Sequence, residues 1–163
     1  MTNRRLRHLV EESRVHAESL FKAGCRIGAF ILFPSYRINK KNTINGARGM
    51  HIKIADRMDL TLEAIRRNYC GDTSPLSTVL QRYSDFFDLF CTFKEYVDFW
   101  MLNDLVDDQY KVRFYLPFDN FERNAAPHTV EEYRQLAEST IEFLQGRTGR
   151  LLCTLQGESS TRR

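Results

Sequence analysis

A chain of 163 residues, 42% hydrophobic and 28% charged, is long enough to bury a core of its own and reads as one soluble globular domain. No apolar run approaches the roughly 18 residues a transmembrane helix needs, and the opening MTNRRLRHLVEESR lacks the apolar stretch of a signal peptide, so the sequence points away from membranes and to the cytoplasm. The net charge of +3 hides an asymmetry: residues 1–53 carry eleven Lys/Arg against three Asp/Glu, residues 54–123 carry eight against thirteen, and residues 124–163 carry five of each.

Such a distribution describes either a positive face that attracts phosphate, nucleic acid or an acidic protein, or two thirds of the chain that pair with one another. The four cysteines, Cys25, Cys70, Cys91 and Cys153, form no CxxC pair. They read as reduced thiols used mostly for packing.

In chain order, residues 4–22 read as a helix. Leu6, Leu9, Val10, Ala17, Leu20 and Phe21 recur at helical spacing, and Gly24-Cys25 ends it. Gly28–Pro34, GAFILFP, reads as a buried strand closed by proline. The polar segment Ser35–Lys53 follows, with Asn45-Gly46 as a turn signal. A helix is expected from Asp56, the candidate N-cap, with Met58, Leu62, Ile65 and Tyr69 as its buried stripe.

Ser74-Pro75 predicts the start of a further helix carrying Leu76, Val79, Leu80, Tyr83 and Phe87. Phe93–Val106 reads as another. Lys111–Phe118, KVRFYLPF, alternates like a strand and is expected to pair with Gly28–Phe33. Thr129-Val130-Glu131-Glu132 is a capping box opening a last helix to about Gln145, and the Gly-, Ser- and Arg-rich tail beyond it is expected to fray. The sum is an α+β fold: a mostly helical single domain over 1–150 with a small two- or three-stranded sheet, and a flexible tail over 151–163.

FPSYRI, TINGARG, KIADRMDLTLEAIRR, SPL, YSDFFDLF, YVDFW, NDLV and FYLPFD, in that order, resemble an uncharacterised bacterial or phage family with a domain of unknown function. The resemblance covers roughly residues 24–150, and residues 1–23 are less like it. Its motif positions fall on Arg37, Thr43, Asn45, Gly46, Arg48, Gly49, Asp56, Arg57, Asp59, Glu63, Arg66, Arg67 and Asp104, whereas His51 stands outside them. The resemblance implies a bacterial or phage source and no activity.

The candidate site is the stretch from Arg37 to Arg67. Arg37 and Arg48 would supply forked donors to an anion, Thr43 and Asn45 neutral ones, and Gly46 and Gly49 would let backbone N–H groups approach a phosphate. An ordinary exposed loop is the plain alternative. Glu63 and Arg67 stand four apart, so an intrahelical ion pair of about 0.3–0.5 kcal/mol is the first explanation for them. A sharper one has Arg66 or Arg67 lean toward the loop, with Glu63 as base or orienter.

His8, His16, His51 and His128 have no ligand-like spacing with cysteine, and Asp104, Asp107 and Asp108 read as a solvated turn. No GxSxG elbow is present. Neither a metal nor a cofactor is expected.

Two functions from different classes follow. The first is a protein that binds a phosphate-bearing ligand, a nucleotide or nucleic acid. As an enzyme it would act on a phosphodiester or nucleotide without metal, with Arg48 and Arg67 facing developing charge, Glu63 or His51 moving the proton, and Arg37, Thr43, Asn45 and Arg66 holding the ligand. The second is a non-catalytic interaction protein, for example a phage-encoded inhibitor of host defence, whose basic face docks on an acidic protein partner. Oligomeric state is left open.

Overall fold

Helices account for nearly all the regular structure. The computed structural model describes residues 7–8 and 11–160, so Leu6, Leu9 and Val10 of the expected first helix lie outside the described residues. Helix α1 spans Arg14–Gly24, α2 Ile44–Met50, α3 Met58–Cys70, α4 Ser77–Arg82, α5 Ser84–Phe87, α6 Phe93–Phe99 and α7 Val130–Ser160. Short 3-10 turns stand at Ile27–Ala29, Ile38–Lys40 and Asn103–Leu105. The chain divides into two compact units, one holding residues up to Ile31 together with those from Pro127 onward, the other Leu32–Ala126.

The expected α+β architecture is not what forms. Among the described residues there is no strand and no sheet, only one antiparallel bridge between Val106 and Val112. The reason is where the backbone groups of the two strand-like segments find partners. At GAFILFP, the Gly28 and Phe30 carbonyls accept from Arg147 Nη1 at 2.6 and 2.9 Å, and the Gly28 N–H donates to Thr148 Oγ1 at 3.2 Å. At KVRFYLPF, the Arg113 N–H donates to the Leu105 carbonyl and the Tyr115 N–H to the Asp59 carboxylate. Side chains and loops consume the donors and acceptors a ladder would need. Period-2 alternation reports one buried face and says nothing of a neighbouring strand.

In the first unit, α1 and the turn at Ile27–Ala29 pack along α7. Half of the capping box forms as read: Thr129 Oγ1 accepts from the Glu132 N–H at 3.1 Å, while the Glu132 carboxylate accepts from the His128 N–H in place of that of Thr129. The helix does not stop near Gln145 but continues to Ser160. Tertiary contact overrides the two glycines there, because Arg147 is 2% exposed and spends its guanidinium on the Gly28–Phe30 backbone. The helix must persist through that turn to present it.

The second unit is built on α3, whose Leu60, Leu62, Ala64 and Ile65 are buried. Gly71 closes it in the left-handed region at φ 75°, its N–H and that of Asp72 returning to the last turn. The apolar run after Pro75 does not make one helix. It breaks at Tyr83, which is 1% exposed and donates its hydroxyl to the Tyr36 carbonyl at 2.7 Å. The aromatic residues after it are core: Phe87, Phe93 and Tyr96 are buried, and their rings stack edge-on or tilted around Tyr69. The cysteines do not pack as expected, for all four are free and exposed.

Gly28 is a position where only glycine fits. A Cβ there would stand 2.4 Å from Thr148 Oγ1 and 2.5 Å from the Leu144 carbonyl oxygen. Gly28→Ala is expected to lower stability by about 2 kcal/mol or more, read as a fall in the urea midpoint; an unchanged midpoint would mean the close approach to α7 does not exist.

Candidate functional site

The TINGARG stretch is a helix, not the flexible loop its Asn-Gly pair suggests. Thr43 caps α2, its Oγ1 accepting from the Gly46 N–H at 3.2 Å, and Ile44 is fully buried beneath it. Asn45 and Gly49 are exposed on this short helix. Thr43 is therefore spent on the helix end, and the Gly46 N–H already has its partner.

Arg48 leaves the end of α2 and turns inward. Its Nε donates to Thr61 Oγ1 at 3.0 Å, and its other nitrogens meet the Asp56 carbonyl at 3.1 Å and the Asp56 carboxylate at 2.8 Å. Burial lowers the Arg48 guanidinium from its ordinary value and Asp56 opposes that. The guanidinium pins a turn at Ile54–Arg57 in which Ala55 and Asp56 both hold positive φ, 49° and 59°. Asp56 thus anchors Arg48 instead of capping α3, whose N-cap is Arg57. His51 is half-buried, and its Nδ1 accepts from the Lys53 N–H at 3.2 Å.

Three polar residues of α3 face the interior: Asp59, Thr61 and Glu63. Asp59, 0% exposed, takes a forked contact from Arg57 and the Tyr115 N–H at 3.0 Å. Arg57 also donates to the Ala125 carbonyl at 3.1 Å. The Tyr115 hydroxyl is buried nearby without a hydrogen-bond partner among the described residues, and burial pushes that phenol up, Asp59 adding to the effect.

Glu63, 4% exposed, lies between two guanidiniums. Arg66 forks onto both carboxylate oxygens at 2.7 and 2.9 Å, and Arg67 Nε reaches Oε1 at 2.8 Å. Burial alone would raise the Glu63 carboxyl, but the hydrogen bonds from Arg66 and Arg67 outweigh it and hold the group below the usual carboxylate range. Arg67 is further occupied by the Thr73 carbonyl and the face of the Phe121 ring, 4.9 Å away. Of the residues singled out by sequence, Glu63, Arg66 and Arg67 meet; Arg48 is bound to Thr61 and Asp56; Arg37 is exposed and has no ion pair among the described residues.

An open basic hollow lies elsewhere in the same unit. A cleft of about 440 Å³ is lined by Lys40, Lys41, Asn42, Thr78 and Arg82, with Ala47, Pro75 and Val79 as its apolar floor and no acidic side chain. Its rim is a strained turn: Asn39 and Lys40 hold φ 53° and 58°, and the Lys41 N–H returns to the Ile38 carbonyl at 3.1 Å. Asparagine tolerates the left-handed region and lysine does so at a cost, which is the kind of strain that collects at ligand sites. Arg82 Nη1 donates to the Asn42 carbonyl at 2.8 Å and ties α4 to the turn. Asn39-Lys40 belongs to the basic segment already marked by sequence. Arg82, Thr78 and Pro75 had no signal of their own, being some forty residues away.

A profile for a family of unknown function, DUF6994, matches residues 1–151. The chain belongs to that family. DUF6994 thus extends over the N-terminal residues that the motif resemblance alone left outside. No curated protein and no solved structure matches the chain. Among the described residues, no helix of this DUF6994 member is long and apolar enough to cross a membrane.

Two expectations follow from the α3 network. Asp59→Ala strands the Arg57 guanidinium, so it should cost about 3–5 kcal/mol in chemical denaturation; a loss under 1 kcal/mol would show the pair to be dispensable. Glu63 has a lowered folded value, so its contribution is complete above the usual carboxylate range of about 4.3 and fades as pH falls through the folded value. The stability gap between wild type and Glu63→Gln should therefore be constant above about pH 5 and narrow in acid.

Proposed function

We propose that this protein binds a phosphate-bearing ligand in the cleft of Lys40, Lys41 and Arg82, and that it does so as a binding protein and not as a catalyst. The observation carrying this reading is the cleft itself: three cations and two neutral donors surround a hollow of about 440 Å³ with no carboxylate to neutralise them. That volume suits a small ligand, and the two lysines and the arginine suit an anion with several oxygens.

The enzymatic alternative finds less support. Of its two candidate proton carriers, Glu63 already accepts from two guanidiniums and is held low, which makes it a weak base, and His51 Nδ1 already accepts from the Lys53 N–H. Its anion-stabilising Arg48 is committed to Asp56 and Thr61. Four exposed free thiols fit a reducing interior, so we place this protein in the cytoplasm of a bacterial or phage-infected cell. The docking alternative, an acidic protein on the basic face, differs in one measurable way: it needs no small anion.

The test is calorimetric titration with inorganic phosphate, pyrophosphate and ribose 5-phosphate at low and moderate salt. Binding should weaken as salt rises and fall about tenfold or more in Lys41→Ala. Lys40→Gly should part stability from binding: relief of the left-handed strain raises stability by about 1 kcal/mol, while the loss of one cation weakens the anion. Salt-independent affinity, or a Lys41→Ala variant that binds as well as wild type, would rule the cleft out.

A further inference from the structure

Tyr36 packs on Tyr83, the chain neighbour of the cleft residue Arg82, and is oddly placed for an aromatic residue. It is 60% exposed, yet it is not loose. Its ring packs edge-on against Tyr83 with centroids 5.6 Å apart and planes at 63°, and its carbonyl accepts from the Tyr83 hydroxyl at 2.7 Å. Tyr83 is buried, so both the backbone and the ring of Tyr36 are fixed to the core. The ordering cost that an exposed aromatic ring would meet on binding is already met by the fold.

The chain limits how far the ring can lie from the cations. Tyr83 follows Arg82, which lines the cleft and holds the Asn42 carbonyl. Along the other strand of chain, Tyr36 precedes Lys40 by four residues, which limits their Cα separation to about 14 Å. Arg37, exposed, lies between them, and the whole run from Ser19 to Ala55 contains no Asp or Glu. An anchored ring beside a carboxylate-free basic cleft is the arrangement that takes a base on its face and the attached phosphate on its cations.

We infer that the ligand is a nucleoside phosphate, free or as a unit of a single strand, with its base stacked on Tyr36 and its phosphate in the Lys40–Lys41–Arg82 cleft. This rests on the phosphate reading of the cleft and adds the base to it. Arg37 would sit over the stacked base or meet a second phosphate. Stacking is indifferent to the identity of the base, so the site should show little sequence preference.

The experiment compares thymidine monophosphate with 2-deoxyribose 5-phosphate, and both with a thymidine oligonucleotide of about eight residues, on wild type, Tyr36→Ala, Tyr36→Phe, Tyr36→Trp and Lys41→Ala. Wild type should prefer the nucleotide to the sugar phosphate by about tenfold, the scale of one base–aromatic stack. Tyr36→Ala should abolish that ratio while leaving sugar phosphate binding unchanged, and Tyr36→Phe or Tyr36→Trp should keep it, which separates stacking from general damage to the fold.

An oligonucleotide that binds far more tightly than the monomer, with a steep salt dependence, identifies single strands as the source; equal affinities identify the free nucleotide. A wild type that binds nucleotide and sugar phosphate equally, or a ratio that survives Tyr36→Ala, overturns the base platform while the phosphate cleft stands. Binding that Lys41→Ala leaves untouched removes the cleft, and the platform with it.

Discussion

The ion pair between Arg57 and Asp59 is the interaction on which the larger unit rests. Asp59 is wholly buried, and a lone carboxylate in that position would be intolerable. Arg57 satisfies both its oxygens, the Tyr115 N–H adds a third donor, and the same guanidinium holds the Ala125 carbonyl. One charge pair thereby ties the start of α3 to two stretches of irregular chain more than fifty residues away. Those stretches have no sheet to order them, so the carboxylate performs the task that a neighbouring strand performs elsewhere. The geometry explains why a buried pair is tolerated: both carboxylate oxygens and all three guanidinium nitrogens have partners, which helps to offset desolvation.

The other charges of α3 follow the same logic. Arg48 fastens the end of α2 to Thr61 and to the turn at Asp56, and Glu63 gathers Arg66 and Arg67. These groups have the composition of an active site, but their electrostatics are those of a scaffold. The carboxylate is held low by its two guanidiniums, and Arg48 is committed to Thr61 and Asp56. What the network provides is stiffness. It fixes the frame on which the strained turn at Asn39-Lys40 and the end of α4 are mounted.

The cleft differs from that network in each respect. Its two lysines are exposed, its turn is under backbone strain, and no acid lines it. Strain and uncompensated charge both cost stability, and neither serves the packing of α2 or α4. A ligand that supplies negative charge would relieve the second cost and use the first. The Tyr36 ring, exposed and yet anchored on Tyr83, belongs to the same description.

Much of this was legible in the linear chain. The helix expected from Asp56, which begins at Met58, the capped start at Thr129, the aromatic core and the basic character of the segment after Tyr36 all depend on local periodicity, local capping and local composition, which a sequence carries within a few residues. The sheet was misread because the apolar run of GAFILFP and the alternation of KVRFYLPF speak of side chains alone, while a strand also needs a partner for its backbone, and here Arg147, Thr148 and Asp59 took that place. The helix end near Gln145 was misread because Gly146 and Gly149 weaken a helix locally, whereas the burial of Arg147 between them is a long-range gain. The roles of the charged residues were decided only by tertiary structure. Arg48 and Lys41 are both cations of the same basic segment; that Arg48 is spent on Thr61 and Asp56 while Lys41 is exposed depends on contacts between residues that the chain sets apart.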